Sequence, residues 1–354
     1  MSDNPVQTSV QAAQDDVLPF RFWWGLLFCA FVMGLIFAFA PYSSPTGEEF
    51  IPDKGDWWYY WQLKEPTVWT RLSAWVPYTL HIVSIWFLIN YAKKAKPKYV
   101  YGLHHFNLWA LGVNAFFVLL HIAQTKIFYD GLAQDVHEAT SMGSVVLMLF
   151  LIMLMENGRR GMFFGYKLGF MKGVGDTLKR YHGYYISWAI IYTFWYHPVE
   201  MTSGHLAGFA YMFLLLLQSS LFFTRFHVNR VWTMILETLF VVHGALVAAF
   251  VLQKGQDQFW SQFLFGGFAI FLITQMWGLE LSNRAKLLVA TPIIAVLIAF
   301  YSFRPDMLPW LGTLPMTMYG GTLLLFIVLW LVQVCAGGIR SARPGPQQRG
   351  DALT

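Results

Sequence analysis

Ten apolar runs, each long enough to cross a bilayer, dominate this sequence. They lie at roughly 20–41, 68–92, 102–126, 138–157, 182–200, 204–224, 229–252, 259–280, 286–303 and 314–337. A hydrocarbon core about 30 Å thick takes roughly 20 residues of helix to span. Almost all the runs lack strand-like alternation and exceed strand length. In lipid the backbone must satisfy its own hydrogen bonds, and a helix does so within one segment. The expected fold class is therefore an all-α integral membrane protein, a polytopic bundle of about ten transmembrane helices in one domain over 19–340. The polar tails 1–18 and 341–354 read as disordered and cytoplasmic.

Composition supports lipid as the solvent. Charged residues make up 12% of the 354, hydrophobic residues 56%, and mean hydropathy is +0.47. A soluble domain carries about 25% charged residues. The net charge of +5 does not imply a nucleic-acid partner, because the basic residues sit in short loops between apolar runs. There is no GxGxxG, no P-loop and no room for a nucleotide-binding domain. The two cysteines, Cys29 and Cys335, lie far apart, and no CxxC or CxxCH occurs.

Loop charge gives an expected orientation. With ten spans and the N-terminus inside, the inner ends and loops hold 18 of the 24 basic residues, leaving six outside. Every inner loop is basic, so both termini are expected to be cytoplasmic, in a multi-pass protein of a bacterial inner membrane. Ala38-Phe39-Ala40 resembles a signal-peptidase site, but the preceding run is long and Pro41 follows, so the first run reads as an anchor. Two loops are longer. Residues 42–67 hold Trp57, Trp58, Tyr59, Tyr60 and Trp61, an aromatic belt at headgroup level. Residues 158–180 mix Phe, Met and Lys and read as a short interfacial helix.

The ten histidines are ordered in depth. His104, His105, His182 and His227 lie at the inner ends of spans three, five and seven. His121, His197 and His243 lie toward the outer ends of those spans, His205 begins span six, and His137 precedes span four. His81 sits mid-span in span two. A ladder of imidazoles at two depths is what two stacked b-type haems need, each iron taking one ring from each of two facing helices. The expected cofactor-binding residues are His182, His197, His105, His121, His227 and His243, with His104 and His205 as further metal ligands. His81 and His137 read as structural.

Facing is harder to satisfy than depth. Fifteen residues separate His182 and His197. At 100° per residue they fall about 60° apart on the helix. The sixteen residues between His227 and His243, or His105 and His121, turn about 160°. Those pairs share a face only if the first histidine precedes the helix proper or the helix is distorted. Pro198 sets His197 at a span end.

Glu237 is the one acidic residue deep within a span, a candidate proton-transfer group. The sequence thus points to a membrane oxidoreductase holding haem b and moving electrons across or within the bilayer. A membrane quinol or a partner protein would be the donor, alone or within a larger membrane complex. The alternatives are a histidine-bound non-haem iron enzyme acting on a lipid, though HxxxH and HxxHH are absent, and a proton-coupled transporter using Glu237. Paired Gly or Pro breaks in two halves would favour transport; Pro77, Pro198 and Pro292 show no such pairing.

Overall fold

In the computed structural model, residues 17–42, 50–51, 61–95, 97–250 and 258–335 are described. Residues 1–16 and 341–354 of the tails and Trp57 to Tyr60 of the aromatic run lie outside them, whereas Leu18, expected in the disordered tail, is ordered by paired backbone hydrogen bonds of 2.9 Å with Leu103. The structure is 80% helix and forms no strand among the described residues. Among the described residues ten α-helices follow in order: α1 Phe22–Phe39, α2 Val68–Ala95, α3 His105–Ile127, α4 Glu138–Arg160, α5 Lys172–Tyr196, α6 Ser203–Ser220, α7 Arg230–Phe250, α8 Gln258–Ile273, α9 Asn283–Phe303 and α10 Thr313–Cys335. Each falls on one of the ten apolar runs.

Among the described residues seven segments are long and apolar enough to cross a membrane: α1, α2, α3, α4, α7, α9 and α10. The other three fall short for separate reasons. At 16 residues, α8 rises about 24 Å. α6 is 18 residues long and carries His205 and Gln218. α5 starts ten residues before its apolar run, so its first turns hold Lys172, Asp176, Lys179 and Arg180.

α5 and α6 are also the innermost helices. α5 packs on α2, α4, α6 and α10, and α6 packs on α1, α3, α5 and α7. Surrounded by protein, they need no lipid-facing apolar surface and can carry polar groups. α9 is the reverse case: Leu287, Leu288 and Ile298 are exposed along it, and Tyr301 is its one buried residue. Such a surface suits lipid rather than water.

Polar side chains stitch the interior. Asn107 on α3 donates to the carbonyls of Ser220 and Phe222, 2.9 Å each. These include carbonyls that the end of α6 leaves without helical partners. Asn114 donates to Ser220 Oγ at 2.7 Å and accepts from His81 Nε2 at 2.7 Å. Trp195 Nε1 donates to His81 Nδ1 at 3.2 Å. His81, stacked on Phe117, is therefore a fully partnered core residue.

Hydrogen bonds tie the two ends of the bundle. At the basic end Lys93 Nζ reaches Arg180 O at 2.8 Å, and Arg225 N reaches Val100 O at 2.7 Å. At the opposite end Arg71 and Trp75 of α2 both bind Asp135 in the α3–α4 loop. The separate interfacial helix expected over 158–180 does not form: α4 runs to Arg160, a turn and a short 3-10 helix, Gly169–Met171, follow, and residues 172–180 are the first turns of α5. Gly161, Phe164 and Gly165 have positive φ, and Phe164 N donates to Ile273 O at 2.7 Å. Two glycines in the left-handed region break the helix that the residue mixture favours.

Small residues set several helix distances. A Cβ on Gly321 of α10 would meet the Phe150 ring of α4, whereas one on Gly320 would meet nothing within 4 Å. Gly321→Leu is therefore expected to destabilise the protein by about 1–3 kcal/mol through overpacking. Gly320→Ala should be neutral or stabilising by up to about 1 kcal/mol. Unfolding of both variants in mixed micelles checks the contrast, and equal behaviour would contradict this packing.

Candidate functional site: two histidine clusters

Two groups of histidines form, one near each end of the α5–α6–α7 unit. At the basic end His182 of α5 faces His227, with ring centroids 5.9 Å apart and planes tilted by 35°. His182 Nδ1 donates to Lys179 O at 2.7 Å, and His227 Nδ1 donates to Gln218 O at 3.0 Å. Both rings are thus fixed through Nδ1 to a main-chain carbonyl. Neither Nε2 has a hydrogen-bond partner among the described residues. This is how metal-bound imidazoles are held, with the outer nitrogen tied back and the inner one presented. Two imidazoles on opposite sides of one ion, with bonds of about 2 Å, have ring centres about 6 Å apart. α5 and α7 both lie on α6 and approach each other closely at few points.

The geometry resolves the facing problem. α7 begins at Arg230, so His227 stands three residues before it, after a turn closed by Thr224. The 160° that would separate His227 from His243 on one helix does not apply. His227 is further held by Gln218, whose Nε2 donates to its carbonyl at 3.0 Å while its Oε1 accepts from Trp232. The surroundings are cationic: Lys93 lies over the rings of Tyr181 and Tyr184, and Lys179 and Arg180 precede His182.

At the opposite end His197, His205 and His243 gather. The rings of His197 and His205 are 5.7 Å apart and nearly perpendicular. His205, in the first turn of α6, meets Thr202 Oγ1 through Nδ1 at 2.8 Å, and Trp61 packs edge-on against it. His243 of α7 comes close to α6 where Gly208 leaves room, 3.5 Å from a notional Cβ there. Its Nδ1 is buried without a hydrogen-bond partner among the described residues. His121 and His243 both lie within electrostatic reach of His197.

The other expected ligands stand elsewhere. His105 is exposed at the start of α3. His104 caps α3 and donates through Nε2 to Lys98 O at 3.0 Å. His121 is fully buried, with Nε2 donating to His197 O at 2.8 Å and Nδ1 against Gln124 Oε1 at 2.9 Å. One end of α3 thus exposes its histidine and the other buries it, as a 160° turn requires. His137 caps α4 through Nδ1. Among the described residues no set of three or more His, Cys, Asp or Glu side chains converges on a point where one metal ion could bind.

Glu237 pairs with Arg160 at the end of α4, and both are nearly buried. Gln275 reaches the same carboxylate oxygen at 3.4 Å. The pair joins α4 to α7 across 77 residues of sequence, so no local signal in the sequence announces it. In the sequence Arg160 belongs only to the loop charge. Gln124 and Thr125 were also not singled out, although three- and four-residue spacing from His121 places them on its face of α3.

The chain matches no protein-family model, no curated protein and no solved structure.

Two predictions arise from these ionisable groups. Glu237→Ala leaves Arg160 buried without its partner and should cost about 3–5 kcal/mol. Arg160→Met with Glu237→Leu should recover most of that loss in the same unfolding assay. Asp130, in the α3–α4 loop, is buried and its Oδ2 has no hydrogen-bond partner among the described residues. Burial pushes its carboxyl up from 3.8 to about 6, against the hydrogen bond from Gly131 N. A group whose folded pKa is raised holds its proton more tightly when folded. Stability therefore falls as pH rises from 3.8 to about 6, then levels. Asp130→Asn should flatten that slope and raise stability at neutral pH by about 2 kcal/mol. Thermal unfolding followed across this pH range tests it, and an unchanged slope would refute the assignment.

Proposed function

We propose that this chain is a membrane redox protein that holds b-type haem between histidine pairs at two depths and moves electrons across or within the bilayer. The observation that carries the reading is the pair His182 and His227. Their separation suits two imidazoles that would hold one iron, and each Nδ1 is tied to a carbonyl, which leaves Nε2 without a protein partner among the described residues. The second site would be drawn from His197, His205 and His243, with His197 common to it. Fifteen residues of helix between His182 and His197 set the two sites about 22 Å apart along α5.

The donor set supports haem over a bare ion. A porphyrin supplies four of the iron's ligands, so the protein need give only two, whereas non-haem sites commonly use three or more protein ligands. Lys93, Lys179 and Arg180 near His182 would pair with the carboxylates that a porphyrin carries. When bound, the group supplies reversible one-electron transfer. The protein's part is to orient the imidazoles, keep the site within the bundle, and set its electrostatics. The pairing of Glu237 with Arg160 supports a structural role for that carboxylate more than a proton relay.

The same reading includes ten spans rather than seven. α5, α6 and α8 would cross within the bundle, shielded by the seven apolar helices. Alternation of ten spans then puts the basic end and both termini in the cytoplasm of a bacterial inner membrane. A membrane quinol or a partner protein would supply the electrons, alone or within a larger membrane complex.

Protein purified after expression with ample haem should be red, with a reduced-minus-oxidised α-band in the b-type region. His182→Ala and His227→Ala should each remove about half of that band, and His197→Ala the other half. A colourless, iron-free preparation would sink the proposal. His205→Ala and His243→Ala compared in parallel identify which ring lies opposite His197.

A further inference from the structure

We infer that His121 is a positioning residue: it fixes the backbone of His197 from behind and so sets the geometry of the site at that end of the bundle. The inference rests on His197 being a ligand, as proposed above.

The need for such a device follows from where His197 sits. α5 ends at Tyr196, and His197 has extended backbone, φ −99° and ψ 135°, followed by Pro198. His197 therefore lies outside the helical ladder that would fix its Cα–Cβ direction. The last carbonyls of a helix also need partners from elsewhere. His182, inside α5, needs no such help.

α3 and the loop after it supply the hold. His121 Nε2 donates to His197 O at 2.8 Å. One turn further along α3, Thr125 Oγ1 accepts from Val199 N at 3.0 Å. The two bonds grip the chain on either side of Pro198, which has no N–H of its own to offer. Gly131 of the loop lies so close to Tyr196 O and Pro198 N that no Cβ fits between them. Tyr196 OH donates to Val136 O at 2.8 Å, anchoring the residue before His197 to the same loop.

His121 is itself held rigidly. Its Nδ1 lies 2.9 Å from Gln124 Oε1, but with the ring hydrogen on Nε2 both are acceptors, so packing rather than this contact holds the ring. The Gln124 amide is oriented by its donations to Ser73 Oγ at 3.0 Å and Asp130 O at 3.1 Å. The Trp195 ring lies 4.2 Å from the His121 ring, and Phe194 closes another side. The carbonyl of His197 can only accept, so Nε2 must carry its hydrogen and has no lone pair for iron. A ligand's second shell is built this way, with a buried donor acting through the ligand rather than on the metal.

The test uses full-length haem-loaded protein in a His182→Ala background, where only the site containing His197 contributes. His121→Leu, which removes the donor, should shift the midpoint potential and the low-spin ferric electron paramagnetic resonance signal of that site. Haem content should stay near that of the His182→Ala parent. His121→Gln, which restores an N–H in reach of the carbonyl, should bring both readouts back toward the parent. Thr125→Val should shift them in the same sense by releasing Val199 N. With His182 intact, the signal of the site at the basic end should be the same in all three variants, which reports on folding. Unchanged potential and resonance in His121→Leu would overturn the inference. So would loss of that haem in both His121 variants, which would make His121 a ligand. Failure of the underlying reading looks different, because the parent protein would then bind no haem at all.

Discussion

A polar side chain inside a bilayer must find its partner within the protein, and this bundle is organised by that requirement. Lipid offers no hydrogen bonds, so an unpaired amide or imidazole at mid-depth carries a full desolvation cost. His81, Asn107, Asn114, His121, Gln124 and Glu237 are each paired, and each pair joins different helices or grips a helix end. Apolar contact alone gives helices little preference for one another over lipid. The polar pairs are what set which helix lies beside which, and at what height.

Much of that network reaches from α2 and α3 to α6 and to the end of α5. α5 and α6 are too polar or too short to stand in lipid, and they are enclosed by neighbours that are not. The turn joining them carries His197, and His205 opens α6; His182 lies nearer the other end of α5. The histidine clusters therefore sit where the bundle has most protein around it. His182, His227 and His121 are each held there by a main-chain carbonyl.

Much of this was legible from the sequence. Each of the ten apolar runs carries an α-helix, because apolarity sustained over such length has few other solutions in lipid. The angular argument also held at the level of individual residues. His105 and His121, sixteen apart on one helix, face opposite ways, one exposed and one fully buried. His227 escapes the same restriction because it precedes α7. What periodicity could not reveal was the early start of α5 at Lys172, where charged residues continue a helix below the apolar run. The glycine-directed turn at 161–165 was equally hidden, since the helix-like composition around it masks two positive-φ positions. The partners of Glu237 and His197 were out of reach because they lie 77 and 76 residues away in sequence.

By itself, then, the sequence determined where the helices among the described residues lie, and it set expectations for the order of the histidines along them and for the clustering of basic charge in the loops. All three follow from local quantities: apolar length, position within a run, and loop composition. Tertiary structure alone decided which histidines meet. Imidazoles at equal depth on different helices are equivalent until packing rotates each helix and sets its neighbours. Here the rotation pairs His182 with His227, brings His197 to His205 and His243, and turns His121 to the backbone behind them. The physical reason is that a helix's depth is set by its own hydrophobic length, whereas its azimuth is set by the partners its polar groups must find.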